Sequence, residues 1–474
     1  MADATLERTD WRALWASGDL GRFCFVALGI LLHATNETMV ATIMPGLVRD
    51  LSGVELVGWS LAIYELGAIV AGAAAGRLVS YVPLRTNMAV AALVFALGAA
   101  VCAAAPSMPV FLAGRLVEGF GGGALVSLAF VSVERLFPPR IWPQLFGIMA
   151  VVWGVSAFGG PLVGALVSEW LSWRWAFGIF TAGAIAMALT CFLVLTSPQA
   201  TTRAQQAGPL PRFPVSVLVV LAAAVSLIAS AGVNVAPLRS SLLLLAGVAG
   251  LALFFWLDAR NRAVHLFPDR LFDWRTPLGG GMVMVSMLST ATCSLAVYGP
   301  LLLTTLHGVP VLTAGWIIAT EAIAWSVTAI LVANTPPRRE PAIIFAGAVM
   351  ITAGIAGFAY AIPNGSLGLI FACASLQGGG FGMAWPFVTR VIVAAAPEGQ
   401  STLASSAVPT MQRIGYATGS ALAGIVANVA GFSQGLTRET AAAVAPWVFV
   451  AFLPLAAVGV VAAARIAKAA RSGQ

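Results

Sequence analysis

The sequence predicts an all-α integral membrane protein in which two bundles of six helices flank two additional central helices. Of its 474 residues, 59% are hydrophobic and only 9% are charged, whereas soluble domains carry about 25% charged residues. The mean hydropathy is +0.93. The apolar residues fall into about fourteen runs, most of them long enough to cross a hydrocarbon core of about 30 Å.

The first part of the chain carries six of these runs, separated by short polar or proline-containing stretches. They lie near residues 23–45, 57–79, 87–105, 109–133, 145–168 and 173–196. Residues 197–212 are polar and close to several prolines, which is typical of a linker. Two more runs follow, near 214–233 and 240–257.

Residues 258–275 are charged and aromatic, which indicates a segment at the membrane interface. Six further runs lie near 277–303, 312–333, 342–361, 366–394, 402–429 and 444–465. We therefore predict five segments. They are a cytoplasmic segment at 1–21, an N-terminal bundle at 22–197, a linker with two extra helices at 198–276, a C-terminal bundle at 277–466 and a cytoplasmic tail at 467–474.

The basic residues predict the orientation of the chain. With a cytoplasmic N-terminus, the outer connections hold only Arg49, Arg174, Arg239 and Arg438, and the cytoplasmic segments hold nearly all the other Arg and Lys residues. Cytoplasmic loops are enriched in Lys and Arg. We therefore expect a multi-pass protein of the bacterial cytoplasmic membrane with both termini on the cytoplasmic side.

Arg115 and Glu118 lie inside the fourth run, three residues apart on one helical face. Burying one such charge alone in lipid costs roughly 2.5–3.5 kcal/mol on insertion scales. Such residues therefore face a protein interior or a wet cavity. The glycines that follow, Gly119 and 121–123, allow another backbone to approach closely.

The twelfth run repeats part of this motif. Residues 116–122 read Leu-Val-Glu-Gly-Phe-Gly-Gly, and residues 375–382 read Ser-Leu-Gln-Gly-Gly-Gly-Phe-Gly. Ala374 stands in the place of Arg115, and Gln377 in that of Glu118. Repeated halves with a substrate site near the midplane are a common construction of transporters.

Four motifs resemble those of one family. Residues 36–45, Asn-Glu-Thr-Met-Val-Ala-Thr-Ile-Met-Pro, resemble a first-span motif, and residues 115–123 resemble an Arg-x-x-Gln-Gly-x-Gly motif. Trp153-Gly154 with 160–164, Gly-Pro-Leu-Val-Gly, resembles a fifth-span antiporter motif, and 173–177, Trp-Arg-Trp-Ala-Phe, resembles the start of a sixth span. The family is the fourteen-span drug:proton antiporters of the major facilitator superfamily. The resemblance implies the major facilitator fold, alternating access, and two extra helices that do not line the cavity.

The sequence departs from the family pattern at three places. Asn36 stands where the family has Asp, and an acid, Glu37, follows one position later. Glu118 replaces the family's Gln. The connection after the second span, 76–85, lacks the Asp and the second Gly of Gly-x-Leu-x-Asp-Arg-x-Gly-Arg.

Candidates for proton coupling are the intramembrane acids and their neighbours. A carboxyl in a low dielectric is suited to taking up and releasing a proton near neutral pH. Glu118 with Arg115 is the first hypothesis, and a static structural ion pair is its alternative. Glu37 is the rival, and His33 lies one turn earlier on the same face. The pair either relays protons or binds a cationic substrate, and packing alone is the alternative for His33.

Further candidates for substrate binding are polar or aromatic residues of the spans. These substrate candidates are Asn36, Glu65, Glu321, Trp385, Gln377 and Arg413. For Glu321, a polar contact between helices is the alternative. For a hinge or a close helix crossing in the fifth span, the candidates are Gly154, Gly160, Pro161 and Gly164.

Other classes of site find no support in the sequence. Gly119-x-Gly121 matches a dinucleotide fingerprint only formally, because no strand precedes it. The only lysine is Lys468, outside any Gly-Lys-Ser/Thr motif, so we expect no ATP-binding loop. The five cysteines and three histidines have no metal-ligand spacing. We therefore expect no enzyme activity, no cofactor and no nucleic-acid partner, and we expect a proton gradient to supply the energy.

The sequence thus predicts a proton-coupled exporter of small amphipathic or cationic compounds in the lipid bilayer, acting as a monomer. An exporter or flippase of a lipid or of one dedicated metabolite on the same fold is the first alternative. A membrane sensor without transport activity is an alternative from another class.

Overall fold

A computed structural model describes residues 20–51, 56, 59–194, 213–233, 235–261, 264–309, 311–434 and 437–472. These residues are almost entirely helical, with no strand among them. The predicted N-terminal segment, apart from its last two residues, and the linker up to residue 212 lie outside the described residues.

Eight helices correspond to the first eight predicted spans. They are α1 Leu20–Leu51, α2 Trp59–Leu78, α3 Leu84–Ala104, α4 Met108–Leu136, α5 Trp142–Trp170, α6 Trp173–Val194, α7 Val215–Gly232 and α8 Pro237–Arg260.

Eight more helices form the remaining six spans, because the ninth and the fourteenth are each broken in two. They are α9 Pro277–Ala291, α10 Cys293–His307, α11 Val311–Val332, α12 Glu340–Asn364, α13 Leu367–Ala394, α14 Ser401–Ala430, α15 Arg438–Val450 and α16 Leu453–Ser472. The prediction of an all-α membrane fold with about fourteen spans is confirmed.

The two breaks were not predicted from the continuous apolar runs. Between α15 and α16, Pro454 lacks a backbone N–H and its ring excludes the helical position of a preceding carbonyl. Between α9 and α10, the Thr290 and Thr292 hydroxyls donate to the carbonyls of Ser286 and Leu288, at 2.8 and 3.0 Å. Such bonds back to residue i−4 bend helices.

Helix α14 differs from the other spans in polarity. Thirteen stretches of the described residues have the length and hydropathy to cross a membrane, and α14, with 30 residues, is not among them. It packs against α2, α4 and α9, so neighbouring helices surround its Ser, Thr, Gln and Arg side chains. A polar span placed in this way escapes the cost of exposing polar groups to lipid.

Glycines set the packing of the N-terminal bundle. A Cβ on Gly98 of α3 would collide with the backbone of Glu118 in α4, and one on Gly119 of α4 would collide with the backbone of Tyr64 in α2. Helix α4 therefore lies close between its two neighbours, and Arg115 and Glu118 are buried among these helices.

The C-terminal bundle repeats this packing. A Cβ on Gly354 of α12 would meet the backbone of Gln377 in α13, and one on Gly378 of α13 would collide with the backbone of Glu321 in α11. The repeat that the sequence predicts is thus a repeat of helix contacts. When Gly119 is aligned with Gly378, Glu321 in the C-terminal bundle corresponds in position to Tyr64 in the N-terminal bundle.

We expect Gly98→Ala to destabilise the protein by roughly 1–3 kcal/mol, because the new methyl group overpacks the contact between α3 and α4. The measurement is thermal unfolding of the purified protein in detergent, followed by size exclusion. Gly159→Ala in α5 is the matched control, since nothing lies within 4 Å of a Cβ there. Equal melting temperatures of Gly98→Ala and Gly159→Ala would contradict the assigned packing of α3 against α4.

The two bundles meet at the end where α4 ends and α14 begins. The hydroxyls of Ser401 and Thr402 donate to Glu134, at 2.6 and 3.1 Å. Gln144 donates to Asn334 at 3.2 Å. We call this end of the molecule the basic end, because its connections carry most of the arginines outside the spans.

The connection between α8 and α9 also lies at the basic end, and its described part is ordered by one carboxylate. Asp258 is buried and accepts the backbone N–H groups of Leu266 and Phe267, at 2.8 and 3.0 Å. Trp274 and Arg275 lie at the end of this connection, just before Thr276, the residue that caps the start of α9.

Candidate functional site

A cavity of about 260 Å³ lies between the two bundles. It is lined by residues of α1, α4 and α5 from the N-terminal bundle and by α11, α13 and α14 from the C-terminal bundle. None of its described lining residues comes from α7 or α8. The two extra helices are therefore peripheral to this cavity, as the family resemblance implies.

The cavity wall combines aromatic rings with a few charges. Trp153, Trp325, Trp385 and Tyr416 supply much of the apolar surface, and Glu37, Glu321 and Arg413 supply charge. Trp325 stacks on Phe381 with ring centroids 4.5 Å apart, and Trp385 contacts both rings edge-on. This construction resembles ligand pockets, which are largely apolar with a few convergent polar groups.

Arg413 of α14 joins the two bundles. Its Nη1 donates to both carboxylate oxygens of Glu65 in α2, each at 2.7 Å, and its Nη2 donates to Glu37 in α1 at 3.3 Å. Its side chain is only 9% exposed. One guanidinium therefore binds two carboxylates of the opposite bundle, which suits its planar fork of donors.

His33 lies in the same cluster and is fully buried. Its Nδ1 is 2.6 Å from the Tyr64 hydroxyl. Its Nε2 contacts Arg413 and lies 3.2 Å from a carboxylate oxygen of Glu37. With a proton this nitrogen donates to Glu37, and without one it accepts from Arg413. The presence or absence of a proton on Nε2 thus selects the partner of His33.

Arg115 and Glu118 form a separate, closed cluster. Arg115 Nη1 donates to Glu118 at 2.5 Å and to Asn36 at 2.7 Å, and Asn36 Nδ2 donates to the other oxygen of Glu118 at 2.8 Å. All three residues are fully buried, and none lines the cavity. Arg115 also lies over the Tyr64 ring, 4.0 Å from its centroid.

Asn36 and Glu37 therefore face different surroundings, although they are adjacent. Asn36 points into the N-terminal bundle, whereas Glu37 lines the cavity. The reason is the rotation of about 100° per residue in a helix. Both polar groups of Asn36, a predicted substrate ligand, are thus bound to Glu118 and Arg115 inside the bundle, away from this cavity.

The other substrate candidates divide in the same way. Glu321, Trp385 and Arg413 line the cavity. Gln377 does not: it is buried behind Glu321 and donates to that carboxylate at 2.8 Å. Glu65 is not a lining residue either, and reaches the site through its ion pair with Arg413.

The predicted hinge residues lie in a helix that stays continuous through Pro161. A Cβ on Gly160 would collide with Thr38 of α1, and one on Gly164 would meet Met39 at 3.0 Å. A Cβ on Gly154 would instead meet Ser326 of α11 at 2.5 Å. These glycines form close helix crossings, and the crossing at Gly154 joins the two bundles.

Tyr64 links both clusters, although the sequence analysis placed only its neighbour Glu65 among the candidate site residues. It contacts His33 through its hydroxyl and Arg115 through its ring face. The available signal was a tyrosine next to Glu65 inside an apolar run. Trp325 and Tyr416 also line the cavity, and Tyr416 carried no sequence signal of its own.

Comparison with known proteins identifies relatives along the whole chain. A probable multidrug-efflux transporter of Mycobacterium tuberculosis is 29% identical over 476 residues, covering 98% of this chain and 97% of that protein. Multidrug resistance protein 3 of Bacillus subtilis is 34% identical over 152 residues, covering 32% of this chain and 30% of that protein.

Two solved structures share the fold. The crystal structure of a human organic anion transporter superposes with a TM-score of 0.67 at 18% identity, covering 93% of this chain and 98% of that one. A proton:xylose symporter superposes with a TM-score of 0.65 at 15% identity, covering 95% of both chains. Residues 26–363 match the family model of the Major Facilitator Superfamily. With more than half of its length matched by that model, the chain belongs to the major facilitator superfamily.

Proposed function

We propose that the chain is a proton-coupled exporter of small amphipathic or cationic compounds and works by alternating access. The observation that carries the proposal is the cavity between the bundles, with acids on both walls and Arg413 bridging the bundles beside it. The relatives named as multidrug transporters support an export function.

The charges around the cavity favour a cationic substrate. Glu37, Glu65 and Glu321 are acidic and Arg413 is basic, so the site is net negative when the carboxylates are ionised. Aromatic faces add cation–π attraction, worth roughly 2 kcal/mol when the cation is desolvated. Trp325 and Trp385 are placed for that contact beside Glu321.

Glu37 is the carboxylate that we assign to the transported proton. It lines the cavity and is 25% exposed, whereas Glu118 is sealed within the N-terminal bundle. In this scheme a proton on Glu37 removes its attraction for Arg413 and for a cationic substrate. The proton and the substrate then compete for one state of the bridge between the bundles.

Export follows from this competition. Protonation of Glu37 weakens the bridge between α1 and α14, and the bundles rock to expose the cavity on the other side. Glu65 retains Arg413 during this step, because its two oxygens bind Nη1. The basic end faces the bacterial cytoplasm in this proposal, and one chain forms a complete, monomeric transporter.

The test uses inverted membrane vesicles with an acid interior and a pH-reporting dye. We expect planar aromatic cations to evoke proton efflux from vesicles with the natural chain, and Glu37→Gln to abolish this signal. Glu398→Gln is the control, because Glu398 is exposed on the connection between α13 and α14. Normal proton efflux with Glu37→Gln would contradict the assignment of the transported proton to Glu37. If no cation evokes proton efflux from vesicles that contain the natural chain and hold their pH gradient, the proposed function is wrong.

A further inference from the structure

A second cavity, of about 540 Å³, lies at the basic end between the start of α9 and the end of α16. We call it the interfacial cavity. Its lining includes Trp274, Arg275, Thr276, Val461, Arg465 and Lys468. One candidate membrane span begins at Pro277 and another ends at Lys468. The cavity therefore lies at the depth where spans meet the lipid headgroups.

The interfacial cavity is basic. Arg275, Arg465 and Lys468 line it, and no Asp or Glu is among its described lining residues. The nearby Asp273 accepts the backbone N–H of Arg275 at 3.1 Å without lining the cavity. Within the described part of the chain, no carboxylate pairs with the guanidinium of Arg275 or Arg465. Both side chains therefore retain donors for an anion.

The surrounding structure holds these donors in place. The guanidinium of Arg465 lies over the Trp274 ring, 3.9 Å from its centroid. Thr276 caps α9 by accepting the N–H of Gly279 at 3.1 Å. The start of α9 therefore adds the positive end of a helix dipole to the positive side chains.

Apolar side chains adjoin this basic site. Trp274 and Val461, which line the cavity, are 44% and 48% exposed, and Phe272, two residues before Trp274, is 43% exposed. At the membrane interface such surfaces contact acyl chains, and tryptophan is typical of this depth. A soluble anion gains nothing from this apolar surface. A phospholipid contacts it with its acyl chains and binds the basic side chains with its headgroup.

We infer that the interfacial cavity binds the headgroup of an anionic phospholipid, with Arg275 and Arg465 donating to its phosphate. Basic recesses between membrane helices are suited to such headgroups, and each Lys or Arg near an anionic surface adds about 1 kcal/mol. The lipid would tie the connection between α8 and α9 to the last helix of the chain. This site is independent of the proposed export function.

The experiment measures lipid binding to the full chain, purified in a non-ionic detergent. Phosphatidylglycerol is titrated, and bound lipids are counted by native mass spectrometry. We expect one tightly held lipid, and an affinity about thirty-fold lower for Arg275→Gln/Arg465→Gln, the change that two lost basic contacts produce. Arg275→Gln alone, which removes no packing contact with Trp274, should lower the affinity about five-fold.

Arg338→Gln/Arg339→Gln is the matched control, because it removes two exposed arginines at the basic end outside the cavity. It should leave the affinity within about two-fold of that of the natural chain. Equal losses in the two double variants would overturn the site, since the attraction would then be general. Displacement of the lipid by an equal concentration of inorganic phosphate would overturn the assignment to a lipid, and equal retention of phosphatidylcholine would overturn the requirement for an anion.

Discussion

Arg413→Gln should reduce substrate-evoked proton transport at least about hundred-fold, while the protein still inserts and folds. The conformation in which the bundles are bridged should become less favourable by roughly 3–5 kcal/mol relative to conformations without the bridge. Each 1.4 kcal/mol changes its relative population about ten-fold. The loss is large because a single guanidinium contacts both Glu65 and Glu37. Without it, two carboxylates of the N-terminal bundle lose their partner in the other bundle. The measurement is the initial rate of dye-reported proton efflux per folded protein.

A double-mutant cycle separates this role from simple loss of charge. Glu65→Gln/Arg413→Gln should recover part of the folding stability lost in Arg413→Gln, because no unpaired carboxylate remains at Glu65. Transport should stay low, since the bundles are no longer bridged. Arg413→Lys keeps the charge but offers one nitrogen, so we expect only partial activity. Full activity in Arg413→Lys or Arg413→Gln would refute the bridge.

Glu118→Leu should lower the free energy of unfolding by roughly 3–5 kcal/mol, because it leaves Arg115 charged, buried and without its carboxylate. Both residues are fully buried, and two nitrogens of Arg115, Nε and Nη2, already lack a hydrogen-bond partner in the described structure. The measurement is the fraction of protein that stays monodisperse in detergent after heating. The expected result is a steep loss of folded protein at temperatures that the natural chain survives.

The double variant Arg115→Met/Glu118→Leu is the decisive control. Replacing a buried ion pair by apolar residues of similar volume is often neutral or stabilising. We therefore expect this variant to be more stable than Glu118→Leu alone. If Glu118→Leu instead folds normally and loses only proton coupling, Glu118 and not Glu37 carries the transported proton.

Much of the fold follows from the sequence because membrane insertion is governed by local composition. Apolar runs of sufficient length must become helices in lipid, where no water satisfies the backbone. The contact between Arg115 and Glu118 is local in the same sense, since residues three apart on one helix are neighbours. The glycine repeat after Glu118 and Gln377 likewise indicated close packing of α4 and α13 before the structure placed their partners.

The breaks at Thr292 and before Pro454 show the limit of composition. Both lie inside apolar runs, and hydropathy does not register a backbone hydrogen bond that is lost or shared. Pro454 was visible in the sequence, but a proline inside a span either kinks a helix or ends it, and packing decides between them.

Only the tertiary structure decided which intramembrane charges share a site. Arg413 and Glu65 are separated by 348 residues, and nothing in either helix alone specifies their contact. Asn36 and Glu37 are adjacent, yet the rotation of α1 against α4 and α14 seals one inside a bundle and leaves the other at the cavity. The sequence by itself thus determined the spans, their grouping and the local ion pair, because these depend on hydropathy and helical spacing. The cavity and its bridge depend on how separate helices pack, and the burial of each charge follows from that packing alone.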